Sequence, residues 1–135
     1  MKQSNNRRAV VYCRVAHSDD HAMEIQQKTL FQFAVGQGYI YPVCYADNGV
    51  SGMTLNRHAF AKMEKDIKTG KVKVVIVKDL SRIGRNIVEV GKWIEDCRNA
   101  DIEIISMFDG VLTERNKYLP IRQLLASFTI GGEGE

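Results

Sequence analysis

Apolar residues in this chain fall into short β-branched runs, separated by longer stretches in which they recur every three or four positions. Residues 10–15 (VVYCRV) form a mostly apolar run of the kind a parallel strand covered on both faces needs. A polar turn over 17–21 follows. Residues 20–38 predict a helix with Met23, Leu30, Phe33 and Ala34 on one stripe and Gly36 and Gly38 closing it. Residues 39–46 predict a second strand. Residues 47–56 (DNGVSGMTLN) have the content of a loop, and Asn56 can cap a helix on which Phe60, Met63 and Ile67 recur before Gly70 ends it.

Residues 72–77 (VKVVIV) are the clearest strand, and 79–85 read as a short connection. Asn86 can cap a further helix, where Ile87, Val90, Gly91 and Ile94 share a face, and 102–107 predict a fourth strand. From Pro120 an amphipathic segment places Ile121, Leu124, Leu125 and Phe128 on one side. Strands alternating with helices predict an α/β domain, an open and mainly parallel sheet of four or five strands with helices on both faces. The expected boundaries are a flexible start over 1–8, one domain over 9–128 and a flexible tail over 129–135.

The length of 135 residues suits a single domain with a core large enough to need no staple. Three cysteines, Cys13, Cys44 and Cys97, with no CxxC pair, argue against a disulfide framework or a zinc site and for reduced core thiols. No apolar run approaches a membrane span and the first eight residues lack a signal-peptide core, so a cytoplasmic location is expected. The net charge of +3 hides a division: residues 1–85 carry 14 Lys/Arg against 7 Asp/Glu, and residues 86–135 carry 5 against 9. Such asymmetry suits a basic face meeting a polyanion. Lys62, Lys65, Lys68, Lys71 and Lys73 could track phosphates, though a solvated lysine face explains them equally well.

In open α/β sheets the ligand crevice lies beyond the carboxyl ends of the strands. There the first strand carries Arg14, the second leads into Asp47, Ser51 and Arg57, and the third into Lys78, Asp79, Ser81, Arg82 and Arg85. A guanidinium stays charged and offers a planar fork of donors matched to phosphate oxygens, so this rim reads as an anion site. Arg57 falls just after the expected cap of the second helix, where free amides further favour an anion. No GxxxxGK[ST] loop and no GxGxxG follow the first strand, so nucleotide fingerprints are missing. A metal-dependent nuclease needs clustered carboxylates, whereas Asp19 and Asp20 read as first-turn helix residues and Ser18 is placed to cap that helix. His17, His21 and His58 lack ligand spacing, and Trp93 reads as core packing.

Tyr12-Cys13-Arg14-Val15, then Gln26, then Asp47-x-Gly49-x-Ser51-Gly52 with Arg57, then Lys78-Asp79-Leu80-Ser81-Arg82-Ile83-Gly84-Arg85-Asn86 resemble the catalytic domain of serine site-specific recombinases. These are the resolvases and invertases, and KDLSRIGRN is most similar to the large transposon-type branch. The resemblance covers roughly residues 9–125. It implies attack by a serine hydroxyl on a DNA phosphodiester, a 5′-phosphoserine link and a free 3′-OH, then rejoining by the reverse step, with neither ATP nor metal. It implies that Arg14, Arg82 and Arg85, assisted by Arg57 and Lys78, hold the phosphate and its transition-state charge, while Gln26 and Ser51 orient neighbours. Asp47 would support the loop.

The family nucleophile follows Arg-Val directly, and Ala16 stands there. A methyl group cannot form a phosphoester, which leaves strand cleavage dependent on a substitute hydroxyl, with Ser18 the candidate. The alternative expectation is a catalytically silent module that binds DNA phosphates or pairs with an intact recombinase. The stretch from Ala16 to Gln26 is about one residue longer than the family pattern. Relatives continue into a long dimerising helix and a DNA-reading region, so homo-oligomerisation is expected only in a longer context.

Overall fold

In the computed structural model the inner strands are runs of residues covered from both sides, while the edge strand at Val43–Asn48 is only partly buried. The structure describes residues 8–49 and 58–113. In chain order it contains β1 (Ala9–Val15), α1 (Asp20–Gly36), β2 (Val43–Asn48), α2 (His58–Lys68), β3 (Val74–Val77), α3 (Leu80–Ile83), α4 (Ile87–Asn99), β4 (Glu103–Ser106) and β5 (Gly110–Val111). The sheet order is β2-β1-β3-β4-β5; the first four strands are parallel, and β5 pairs antiparallel with β4. This is the expected open α/β sheet.

Alternation along β1 divides the core. Val10 and Tyr12 point to one face and pack with Phe60, Met63, Val90, Trp93 and Ile94 from α2 and α4. Ala9, Val11, Cys13 and Val15 point to the other, where Met23, Leu30 and Ala34 of α1 cover them. Phe60 sits centrally, edge-on to Tyr12 at 5.3 Å and tilted against Trp93 at 5.2 Å between ring centres. Trp93 is core, as expected, and its indole N–H donates to Glu64 at 2.7 Å.

Several boundaries differ from the sequence expectation for local reasons. The second strand starts at Val43 rather than 39, because Tyr41 adopts φ +62° and Pro42 has no N–H to give a ladder. The first helix ends at Gly36, and Gly38 at φ +98° turns the chain while Tyr39 N–H donates back to Ala34. Its cap is Asp19, which accepts from Ala22 N–H at 3.0 Å, so the capping role expected of Ser18 is filled by the next residue. Gln26 replaces Phe33 on the buried stripe; Phe33 is only partly covered. Asn86 caps α4 as expected, accepting from Glu89 N–H. The stretch over 79–85 is not a plain connection: Asp79 caps the one-turn helix α3. Asn56, Ser51, Arg57 and the segment from Pro120 lie outside the described residues.

Candidate functional site

The chain leaves β1 for β2 on one side and β3 for β4 on the other, so the connections diverge between the carboxyl ends of β1 and β3. That divergence is the switch point at which open α/β sheets bind ligands. Here the two strands also separate: β1 pairs with β3 only from Ala9 to Val11, while its last residues pair with β2 alone. Side chains bridge the resulting gap. Arg14 Nη2 donates to Ser81 C=O at 2.5 Å and Nε to Arg82 C=O at 3.2 Å, and Arg82 Nη1 returns to Arg14 C=O at 3.0 Å. The two arginines thus lock the end of β1 to α3.

Gln26 holds the same point from α1. Its Oε1 accepts from Arg14 N–H at 3.1 Å and its Nε2 donates to Arg14 C=O at 3.3 Å, satisfying main-chain groups that β3 no longer pairs. Arg14 is buried, 3% exposed, while Arg82 keeps about a quarter of its side chain open, 23%, and Arg85 is exposed. Arg82 Nε is buried without a hydrogen bond among the described residues, 3.7 Å from Asp79 Oδ1. Asp79 is occupied locally: the same oxygen accepts from Ser81 N–H at 3.0 Å and from Ser81 Oγ–H at 2.5 Å. The cap that builds α3 therefore also ties down the Ser81 hydroxyl.

Lys78 leaves this cluster toward β4. Its Nζ lies 5.9 Å from the ring centre of Phe108, and its carbonyl accepts from Phe108 N–H and Ser106 Oγ. Ala16 and Ser18 are both exposed on the turn beyond β1. That turn is held by the end of β2: Gly49 N–H donates to Val15 C=O at 2.8 Å, and Asn48 Oδ1 accepts from Asp19 N–H at 2.9 Å. Gly49 has φ +88°, and a Cβ there would stand 3.2 Å from Ser18 Cβ, so this contact needs glycine.

Asp47 corrects one expectation. The first turn of α2 was to present free amides to an anionic ligand; instead Asp47 Oδ1 accepts from Ala59 N–H at 2.9 Å, and Oδ2 from Phe60 N–H at 3.1 Å. Tyr12 O–H adds a third bond at 2.6 Å. The anion at this helix end is internal, because β2 delivers a carboxylate to it. Nothing local in the sequence reveals this, since Tyr12 and Asp47 are 35 residues apart.

Of the residues expected to act together, the structure thus gathers Arg14, Gln26 and Arg82, sets Arg85 and Ala16 on the same carboxyl-end edge, and directs Lys78 aside. Sequence reasoning missed the contact between Cys13 and Cys44, whose Sγ atoms lie 4.0 Å apart. It follows only from the β1–β2 register.

Residues 9–129 match the family model described as Resolvase, N terminal domain. A resolvase family site-specific recombinase from Streptococcus pneumoniae is 30% identical, with a TM-score of 0.73 over 95% of this chain and 89% of that one. The N-terminal catalytic domain of TP901-1 integrase is 23% identical, with a TM-score of 0.77 over 93% of this chain and 96% of that one. The C-terminal catalytic domain of ISC1926 TnpA, an IS607-like serine recombinase, is 23% identical, with a TM-score of 0.67 over 91% of this chain and 78% of that one. No curated protein matches the chain. No helix among the described residues is long and apolar enough to cross a membrane.

Proposed function

Because the chain belongs to the serine recombinase family, whose resolvase N-terminal domain it matches over nearly its whole length, we propose that it grips a DNA phosphodiester beside β1 and α3 without cutting it. Domains of this type serve site-specific recombination. The observation that carries the finer reading is the combination of a braced arginine pair with an exposed methyl group: Arg14 and Arg82 are locked together, and Ala16 stands on the turn just beyond them.

Charge and positioning favour phosphate here. Arg82 and Arg85 offer guanidinium groups at the carboxyl edge, and Arg14 and Gln26 keep the main chain beneath them rigid. Arg57 and Ser51, brought by the family motif, would complete the phosphate contacts. Preorganised positive charge stabilises the pentacoordinate phosphorane-like state of a transferring phosphoryl group, so the same frame would serve cleavage were a hydroxyl present. Residue 16 has none, and its side chain can neither attack phosphorus nor hold a DNA end.

The test compares the chain with its Ala16→Ser variant on supercoiled DNA, with covalent protein–DNA adducts trapped by denaturant and resolved on a gel. An adduct with the variant alone is the expected result. An adduct with the unaltered chain, mapped by mass spectrometry to Ser18 or another hydroxyl, would overturn the non-cleaving reading.

A further inference from the structure

Beneath Arg14, on the α1 face of the sheet, two thiols meet. Cys13 pairs in register with Ala46, and Cys44 with Val11, so the two cysteines are diagonal neighbours on the same face of β1 and β2. Their Sγ atoms are 4.0 Å apart, and Gln27 Nε2 donates to Cys44 Sγ at 3.3 Å. The Gln27 amide donates to Cys44 Sγ and the Cys44 thiol donates to Cys13 Sγ, so Cys44 stands between the two groups. The hydrogen bond shared with Cys13, aided by Gln27, outweighs burial and draws the Cys44 thiol down to about 7, while that same bond and burial push Cys13 well up. Cys97 behaves as an inert core thiol: burial pushes it up to about 12. Cys44 is only partly buried, so a small reagent can approach it, whereas Cys13 is fully enclosed.

We propose that Cys44 and Cys13 form a thiol–disulfide exchange site whose substrate is a low-molecular-weight disulfide such as oxidised glutathione. The Cys44 thiolate attacks one sulfur of the reagent, forming a mixed disulfide and expelling one glutathione thiolate. Cys13 then attacks Cys44 Sγ, its proton passing to the departing glutathione sulfur, which forms the Cys13–Cys44 disulfide and releases the second glutathione as a thiol. The protein gives up two electrons and two protons, and the reagent is reduced to two thiols.

Closure acts on the neighbouring site. Strand spacing and rise put diagonal Cα atoms roughly 8 Å apart. A disulfide holds them at about 4.4–6.8 Å, and the excess lies mostly along the strands, so closing the bond requires the backbone of β1 to slide against β2. The pull falls on the residue before Arg14, whose main chain Gln26 clamps, and on the side-chain partner of Gln27, one residue further along α1. The exchange chemistry stands independently of DNA; only this coupling rests on the phosphate-binding reading.

The reduced chain is incubated with oxidised glutathione without DNA, and its thiols are mapped by mass spectrometry. The expected products are a Cys13–Cys44 disulfide with Cys97 still reduced, and Cys44 reacting at least ~10-fold faster than Cys97. Cys13→Ala should stop the reaction at a stable glutathione adduct on Cys44, and Gln27→Leu should slow it while the chain stays folded by thermal unfolding. Equal reactivity of Cys44 and Cys97, or a terminal glutathione adduct on Cys44 in the unaltered chain, would overturn the proposal. For the coupling, oxidation should weaken duplex DNA binding by the unaltered chain and leave Cys13→Ala unaffected. Equal binding by the reduced and oxidised chains refutes the coupling, whereas a reduced chain that binds no DNA faults the phosphate reading instead.

Discussion

Two polar networks stand side by side at the carboxyl ends of β1 and β2, and they are built on opposite principles. Around Asp47 a buried carboxylate meets three donors, the Tyr12 hydroxyl and the amides of Ala59 and Phe60. Its charge is spent inside the fold. Around Arg14 and Arg82 the guanidinium groups bond to main-chain carbonyls at the edge of the sheet. Arg82 Nε is still 3.7 Å from the nearest carboxylate oxygen in its ion pair with Asp79. The first network is closed and fastens α2 to the sheet. The second is rigid and keeps positive charge at an edge, which is what binding an external phosphate requires.

Substitutions should separate the two. The largest effect is expected from Asp47→Ala, which strands three donors in the interior; the domain should lose about 3–5 kcal/mol, read from denaturant unfolding. A loss under about 1 kcal/mol would mean that the carboxylate is dispensable to the fold. Arg82→Ala should do the reverse, lowering DNA affinity about 10- to 100-fold, the range of one charge-assisted contact, with a smaller change in stability. Equal damage to both properties would erase the distinction between the networks.

Gly49 touches the turn that separates them. Gly49→Ala forces a side chain into positive φ and against Ser18, so a loss of about 1–2 kcal/mol is expected by thermal unfolding, together with displacement of residues 16–19. The smallest effect belongs to a second closed pair on β2, Tyr45 O–H to Asp66 at 2.5 Å. The Tyr45 hydroxyl holds the Asp66 carboxyl below its ordinary value, and nearby lysines assist. The stability this adds is present above the ordinary carboxylate range and is lost as pH falls through the lowered value. Tyr45→Phe should therefore cost a little stability at neutral pH, and the difference from the unaltered chain should shrink as pH falls below about 4, which flattens the acid side of the profile.

What the sequence revealed depended on how local each cause was. Strand runs, the Asn86 cap and the apolar stripes on α2 and α4 are set by neighbours within a turn, and they were legible. So was the convergence of Arg14 with Arg82, because topology places residues after parallel strands on one edge. The burial of Arg14 was not legible, since it depends on β3 ending its pairing at Val11 and on α3 offering its carbonyls. The roles of Asp47 and of the Cys13–Cys44 pair needed strand register across more than thirty residues. Asp79 was legible as a neighbour for the arginines, yet its tight cap on Ser81 emerged only with the one-turn helix.

Salt titration reads most directly whether the arginine edge holds DNA through phosphate charge. Duplex DNA binding measured by fluorescence anisotropy across a range of salt should weaken steeply for the unaltered chain. Arg82→Ala and Arg85→Ala should each reduce the slope of log affinity against log salt by about 1, one phosphate contact apiece. Slopes identical to that of the unaltered chain would show that these guanidinium groups do not hold the DNA backbone, and would contradict the account.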